Sequence, residues 1–213
     1  MPKSMLEKLS EGRVYRSMTM RALEPEADQE PSYTVEGYAT TFDQPYTLYS
    51  DPQYKIIEVV SRDAFAATDM SDVIMQYDHT GRVFARLSNE TLDLELDDHG
   101  LKVRAFLGGT EIGRQLYEEI RGGYTNKMSF GFKIRDRKES REDTDDGIIV
   151  TSVITDISKL YDVSAVSLPA NDTTEISARS YCEGVIAELE QEKLEAERIA
   201  AEKAKVLARI RIH

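Results

Sequence analysis

Hydrophobic and polar positions alternate through the middle of the chain, and that pattern predicts strands. Tyr33–Thr40 alternates and is rich in β-prone residues. Lys55–Val60 predicts another strand, and Asp72–Tyr77 is a short apolar run suited to burial on both faces. Thr91–Leu96 alternates strictly and is followed by the polar turn Asp97-Asp98-His99-Gly100. Leu101–Phe106 then resumes the alternation, so the two runs predict a hairpin. In Met128-Ser129-Phe130-Gly131-Phe132-Lys133-Ile134 the apolar side chains fall on one face and Ser129, Gly131 and Lys133 on the other. Asp143–Gly147 reads as a turn, and Ile148–Ile157 and Leu160–Leu168 as the last strands, ended by Pro169-Ala170-Asn171-Asp172. Arg13–Leu23 alternates weakly and predicts a first strand.

Two segments carry helical period instead. Ile112, Leu116 and Ile120 repeat every four residues, with Thr110 at the N-cap position and Gly122-Gly123 beyond the end. Residues 182–210 hold no proline and are rich in Ala, Glu, Lys, Leu and Arg, which predicts one long helix. Its apolar stripe is thin (Val185, Leu189, Ala196, Ile199, Val206, Ile210). Its first half is acidic and its end basic, an order that complements the helix dipole. A helix so narrowly apolar is either solvated or paired with a partner. Glu24–Pro31 is an acidic loop with two prolines. The plan is thus an N-terminal strand and acidic linker over 1–31, one domain over 32–180 and a charged helical tail over 181–213. The many short strands suggest a barrel or a strongly bent sheet.

Composition narrows the function classes. The 213 residues carry a net charge of −12, the wrong sign for a protein that replaces the counterions of a nucleic acid. A single cysteine excludes an internal disulfide framework and zinc sites built on several thiolates. No window approaches the roughly 18 apolar residues of a membrane-spanning helix. The Asp143–Asp146 run lacks the ligand spacing of a calcium loop and reads as a solvated turn. We therefore expect no metal, no cofactor, no nucleic acid and no membrane.

Three histidines make the chemical census short. His213 ends the chain, and His99 sits in a hairpin turn where a polar residue is expected. His79 follows a strand, in Asp78-His79-Thr80-Gly81, where a general base can be mounted on a rigid element facing solvent; an ordinary loop histidine fits the spacing too. Ser129 is the small polar side chain between Met128 and Phe130, and Gly131 on its face leaves room for a substrate backbone. Composition alone makes it a solvent-facing strand serine. A serine hydroxyl needs an imidazole and a group that orients the imidazole before it becomes a nucleophile. Asp162, an acid inside an apolar strand, is a candidate for that group; Asp78, Asp156 and Glu58 are others.

In order along residues 33–178, five blocks resemble the prohead maturation proteases of tailed bacteriophages. They are Val35-Glu36-Gly37-Tyr38-Ala39 with Phe42, Asp78-His79 with Gly81-Arg82-Val83, Leu92 with Asp97–Leu101, Ile120–Gly123 with Lys127–Phe132, and Asp162-Val163-Ser164 with Pro169-Ala170-Asn171. The resemblance implies an α+β, mostly β serine endopeptidase with a fold similar to the herpesvirus assemblin proteases, a β-barrel surrounded by helices, here with a C-terminal helical extension. It implies His79 as general base and Ser129 as nucleophile. Asp162 stands where assemblins place a second histidine. The segment at Pro169–Asn171 lacks the arginines that assemblins place there.

The resemblance further implies a protease that cleaves the major capsid protein, its scaffolding segment and itself, inside the assembling prohead in the host cytoplasm. It makes a homodimer plausible. Two other readings compete. One is a non-enzymatic scaffolding protein with a degenerate protease fold, suited to the long charged tail. The other is a cysteine hydrolase using Cys182 at the start of the tail helix.

Overall fold

The computed structural model describes residues 14–23, 32–167 and 172–210. The alternating runs fold as ten strands. These are β1 (Val14–Ala22), β2 (Thr34–Thr41), β3 (Tyr46–Ser50), β4 (Tyr54–Val60), β5 (Ile74–Tyr77), β6 (Thr80–Arg86), β7 (Leu92–Leu96), β8 (Gly100–Phe106), β9 (Lys127–Thr144) and β10 (Gly147–Val166). Two α-helices join them, α1 (Glu111–Arg121) and α2 (Asp172–Ile210), with 3-10 turns at Arg62–Phe65 and Leu87–Asn89. The acidic loop at 24–31, the Pro169–Asn171 segment and His213 lie outside the described residues.

The strands form one sheet in the order β3-β4-β10-β9-β1-β2-β8-β7, with β5 joined to β10 and β6 to β5. Neighbours are antiparallel except β4 and β5, which both run parallel to β10. They meet different halves of that 20-residue strand: β4 pairs with Ile148–Ile154 and β5 with Asp162–Ala165. Between them the β9–β10 register shifts repeatedly, from Ile154 to Asp162. Such bulges bend a strand and sharpen its twist. The sheet therefore branches at β10 and stays open, with β3 and β7 ending the path among the described residues. This corrects the expected closed barrel surrounded by helices. The mostly β composition and the C-terminal helix stand.

Most of the core lies on one face of the bent sheet. Met128, Phe130, Phe132 and Ile134 of β9 are buried there, as their alternation predicts. The rings of Phe130 and Phe132 stack at 4.4 Å. Helix α1 closes part of this core with Leu116, Tyr117 and Ile120. Thr110 caps it, its hydroxyl oxygen accepting from the Gly113 amide at 3.0 Å, which contributes about 1 kcal/mol. A second, smaller cluster of Ile56, Val150, Tyr181, Cys182 and Val185 seats the Tyr181–Val185 stretch of α2 against β4 and the far half of β10. Between the two clusters the buried carboxylate of Glu58 receives the Arg16 guanidinium through two hydrogen bonds, at 2.5 and 2.6 Å. From Glu190 to Leu207, α2 is exposed on all sides.

Candidate active site

The β9–β10 pairing brings two of the three predicted residues together. Opposed residues of an antiparallel pair project to the same face. Ser129 lies opposite Ser164, and Gly131 opposite Asp162. The side chains of Ser129, Asp162 and Ser164 therefore share the face turned away from Phe130 and Val163. Ser129 and Asp162 come from strands that are distant in sequence but adjacent in register.

His79 arrives from the opposite edge of β10. β5 pairs with β10 up to Tyr77 opposite Ala165, and the Asp78 amide donates to the Ala165 carbonyl at 2.9 Å. β5 and β6 are joined by the two-residue turn Asp78-His79, closed by Tyr77 opposite Thr80. Both turn residues are left-handed, with φ of 47° at Asp78 and 58° at His79. That is the backbone of a type I′ turn, which glycine or asparagine normally fills. A histidine there costs about 1–2 kcal/mol. The cost is offset by anchoring: the Asp78 carboxylate accepts from the Ser167 amide at 2.9 Å and from its hydroxyl at 2.9 Å. The clamp fixes the turn against the end of β10. Strain held by its surroundings in this way is typical of functional positions.

The result is a continuous hydrogen-bond chain. The Ser129 hydroxyl donates to His79 Nε2 at 2.7 Å, and His79 Nδ1–H donates to Asp162 Oδ1. The Ser164 hydroxyl donates to the same Asp162 oxygen at 2.8 Å. Ser129 is 0% and Asp162 1% exposed, so both ends of the chain are buried, while His79 is half-buried. Chemically, the imidazole can take the serine proton, and the carboxylate stabilises the imidazolium that forms. Burial strengthens each of these charge–dipole interactions.

The other candidate acids are engaged elsewhere. Glu58 is held by Arg16, Asp78 by Ser167, and Asp156 by Arg135 at 3.1 Å on the surface. His99 remains in its hairpin turn with its ring edge-on to Tyr38 at 4.5 Å. Cys182 lies in the second cluster, and burial pushes its thiol up to about 11, which keeps it protonated at neutral pH. The cysteine-hydrolase reading needs an imidazole beside this thiol to take its proton, and His79 meets Ser129 and Asp162 instead. Sequence reasoning missed Ser164 as a support for Asp162, and Asp78 with Ser167 as the clamp. The Asp162-x-Ser164 spacing, two residues apart on one strand face, was the signal for the first. Nothing local signals the second, because Asp78 and Ser167 meet only through the β5–β10 pairing.

A family model described as caudovirus prohead serine protease matches residues 17–185. Among solved structures the chain is similar to the bacteriophage T4 capsid assembly protease, gp21. The identity is 13%, the match covers 73% of this chain and 97% of that one, and the TM-score is 0.39. No curated protein matches the chain.

Proposed function

The chain belongs to the caudovirus prohead serine protease family, and from that premise we propose that it is an endopeptidase of capsid maturation working through Ser129, His79 and Asp162. The observation that carries this reading is the unbroken hydrogen-bond chain from Ser129 through His79 to Asp162. In the proposed reaction Ser129 Oγ attacks a peptide carbonyl as its proton passes to His79 Nε2. Asp162 holds the imidazole in the required tautomer and stabilises the imidazolium. Backbone amides receive the charge on the tetrahedral oxygen. His79 then gives its proton to the leaving amine, and water, deprotonated by His79, releases the acyl group. No metal or cofactor takes part.

The proposed substrates are the major capsid protein, its scaffolding segment and this chain itself, cut within the assembling prohead in the host cytoplasm. Co-expression with the cognate capsid protein, followed by mass spectrometry of both chains, tests the reading. Wild type is expected to yield discrete fragments, and Ser129→Ala to yield none, a loss on the order of a millionfold in kcat. Fragments that persist unchanged in Ser129→Ala overturn it.

A further inference from the structure

The β5–β6 hairpin and α1 stand apart and leave a groove of about 560 Å³ between them. The strand supplies Thr80, Arg82 and Phe84, which share a face by alternation. The helix supplies Ile112, Leu116 and Glu119, a stripe at spacings of four and three. Phe84 and Leu116 join this groove to the main core, so its floor is fixed from behind. Ile112 is half-buried on the wall. Arg82 and Glu119 carry one charge of each sign, so the lining favours neither an acidic nor a basic occupant. Its selective surface is apolar.

The groove begins at the turn that carries the proposed general base and opens on the core side of the sheet, since Tyr77 lies opposite Ala165 on the Val163 face. A chain leaving Ser129 therefore reaches it over the Asp78-His79 turn. Tyr77 and Thr80, which line it, are the paired residues that close the Asp78-His79 turn. Position and chemistry together name the occupant. When the tetrahedral intermediate collapses, His79 Nε2 hands its proton to the departing amine nitrogen. The peptide that follows the cut must therefore leave on the histidine side of Ser129. We propose that this groove is the subsite for the leaving segment, and that it takes an aliphatic or aromatic side chain within the first few residues after the scissile bond. The proposal rests on the protease reading above and names the specificity of that same site. Phe84 and Ile112 would be its specificity-determining residues, since they touch the substrate chain without touching the reacting atoms.

The experiment uses the full chain with a proteome-derived peptide library, sequenced on both sides of every cut. Wild type is expected to enrich Leu, Ile, Val, Met or Phe at one position after the cut. Ile112→Asp is expected to lower kcat/KM on the best library peptide about 10–100-fold. Both enzymes are then given a nitrophenyl ester of the residues preceding that cut, which has no residue after the scissile bond. They are expected to hydrolyse it equally. Ile112→Ala, with a smaller loss, replaces Ile112→Asp if the charged variant does not fold. Absence of enrichment after the cut overturns the groove assignment, as does an equal loss on peptide and ester. A library left uncut, or cut equally by Ser129→Ala, overturns the protease reading itself, an outcome distinct from failure of the groove alone.

Discussion

The two halves of the β9–β10 ribbon are built from the same two strands and do opposite jobs. The near half, Lys127–Phe132 against Leu160–Val166, is buried almost throughout and carries Ser129, Asp162 and Ser164. The far half of β9, Arg135–Thr144, is almost wholly exposed and charged. Beyond its pairing with β10, it makes side-chain bridges to α2: Glu139 accepts from the Tyr181 hydroxyl at 2.7 Å, Arg137 lies over the Tyr181 ring at 4.4 Å, and Arg141 meets Glu192 at 3.1 Å. The lesson is that ladder pairing alone fixes a backbone path. Placing reactive atoms to within a few tenths of an ångström takes a packed core on one face and a polar network on the other.

That contrast can be broken first at Asp162. Asp162→Asn keeps the shape of the near half but favours the wrong imidazole tautomer, and kcat is expected to fall about 10⁴-fold. A stopped assay on the fragment-yielding substrate measures it, and an unchanged kcat would mean that another group orients His79. Phe130→Ala attacks the packing beneath the same residues. A loss of about 3–5 kcal/mol in urea unfolding is expected, since Phe130 is 0% exposed.

Cys182 tests the boundary where the far half meets α2. Burial pushes its folded thiol up to about 11, against about 8.5 for the unfolded thiol. The folded value is raised, so the stabilisation is complete below pH 8.5 and is lost as the pH climbs toward 11. The loss reaches about 2–3 kcal/mol. Urea midpoints at pH 8 and pH 10.5 read it, and Cys182→Ser is expected to flatten the difference. The far half itself sharpens the comparison from below. Lys138→Ala and Glu142→Ala are each expected to shift stability by no more than about 0.5 kcal/mol. A larger shift by thermal melting would show that the exposed ribbon holds more than its path.

The same division explains what the sequence discloses. The near half was readable because burial on one face writes strict alternation into Met128–Ile134, and because α1 carries its cap and its period openly. Arg135–Glu142 was not readable as strand. With little to bury, its side chains have no reason to alternate, and its pairing with β10 rests on the backbone ladder and on exposed polar bridges such as Arg135 to Asp156 and Thr155 to Asp136. β10 read as two strands because Ser158 and Lys159 interrupt its apolar run, at the bulges where the ladder slips. β3 and β6 lie at sheet edges, where short polar strands are favoured, and neither announced itself. At the site, residue types alone left His79 and Ser129 as ordinary residues and several acids open, and the family resemblance was what singled out His79, Ser129 and Asp162. The left-handed turn that delivers His79, and the Ser167 clamp that holds it, exist only once β5 lies along β10.

A hairpin zips from its turn, and the turn of this one is Asp145-Asp146, at the far tip. Ser129 and Asp162 stand at the opposite end, past every bulge. In folding time the rungs that carry Ser129 and Asp162 are therefore among the last to close. They close into a cleft that also needs the distant β5 strand, a contact of long sequence separation and slow formation. An emerging chain would pass through most of its folding with Ser129 still far from His79, a delay written into topology.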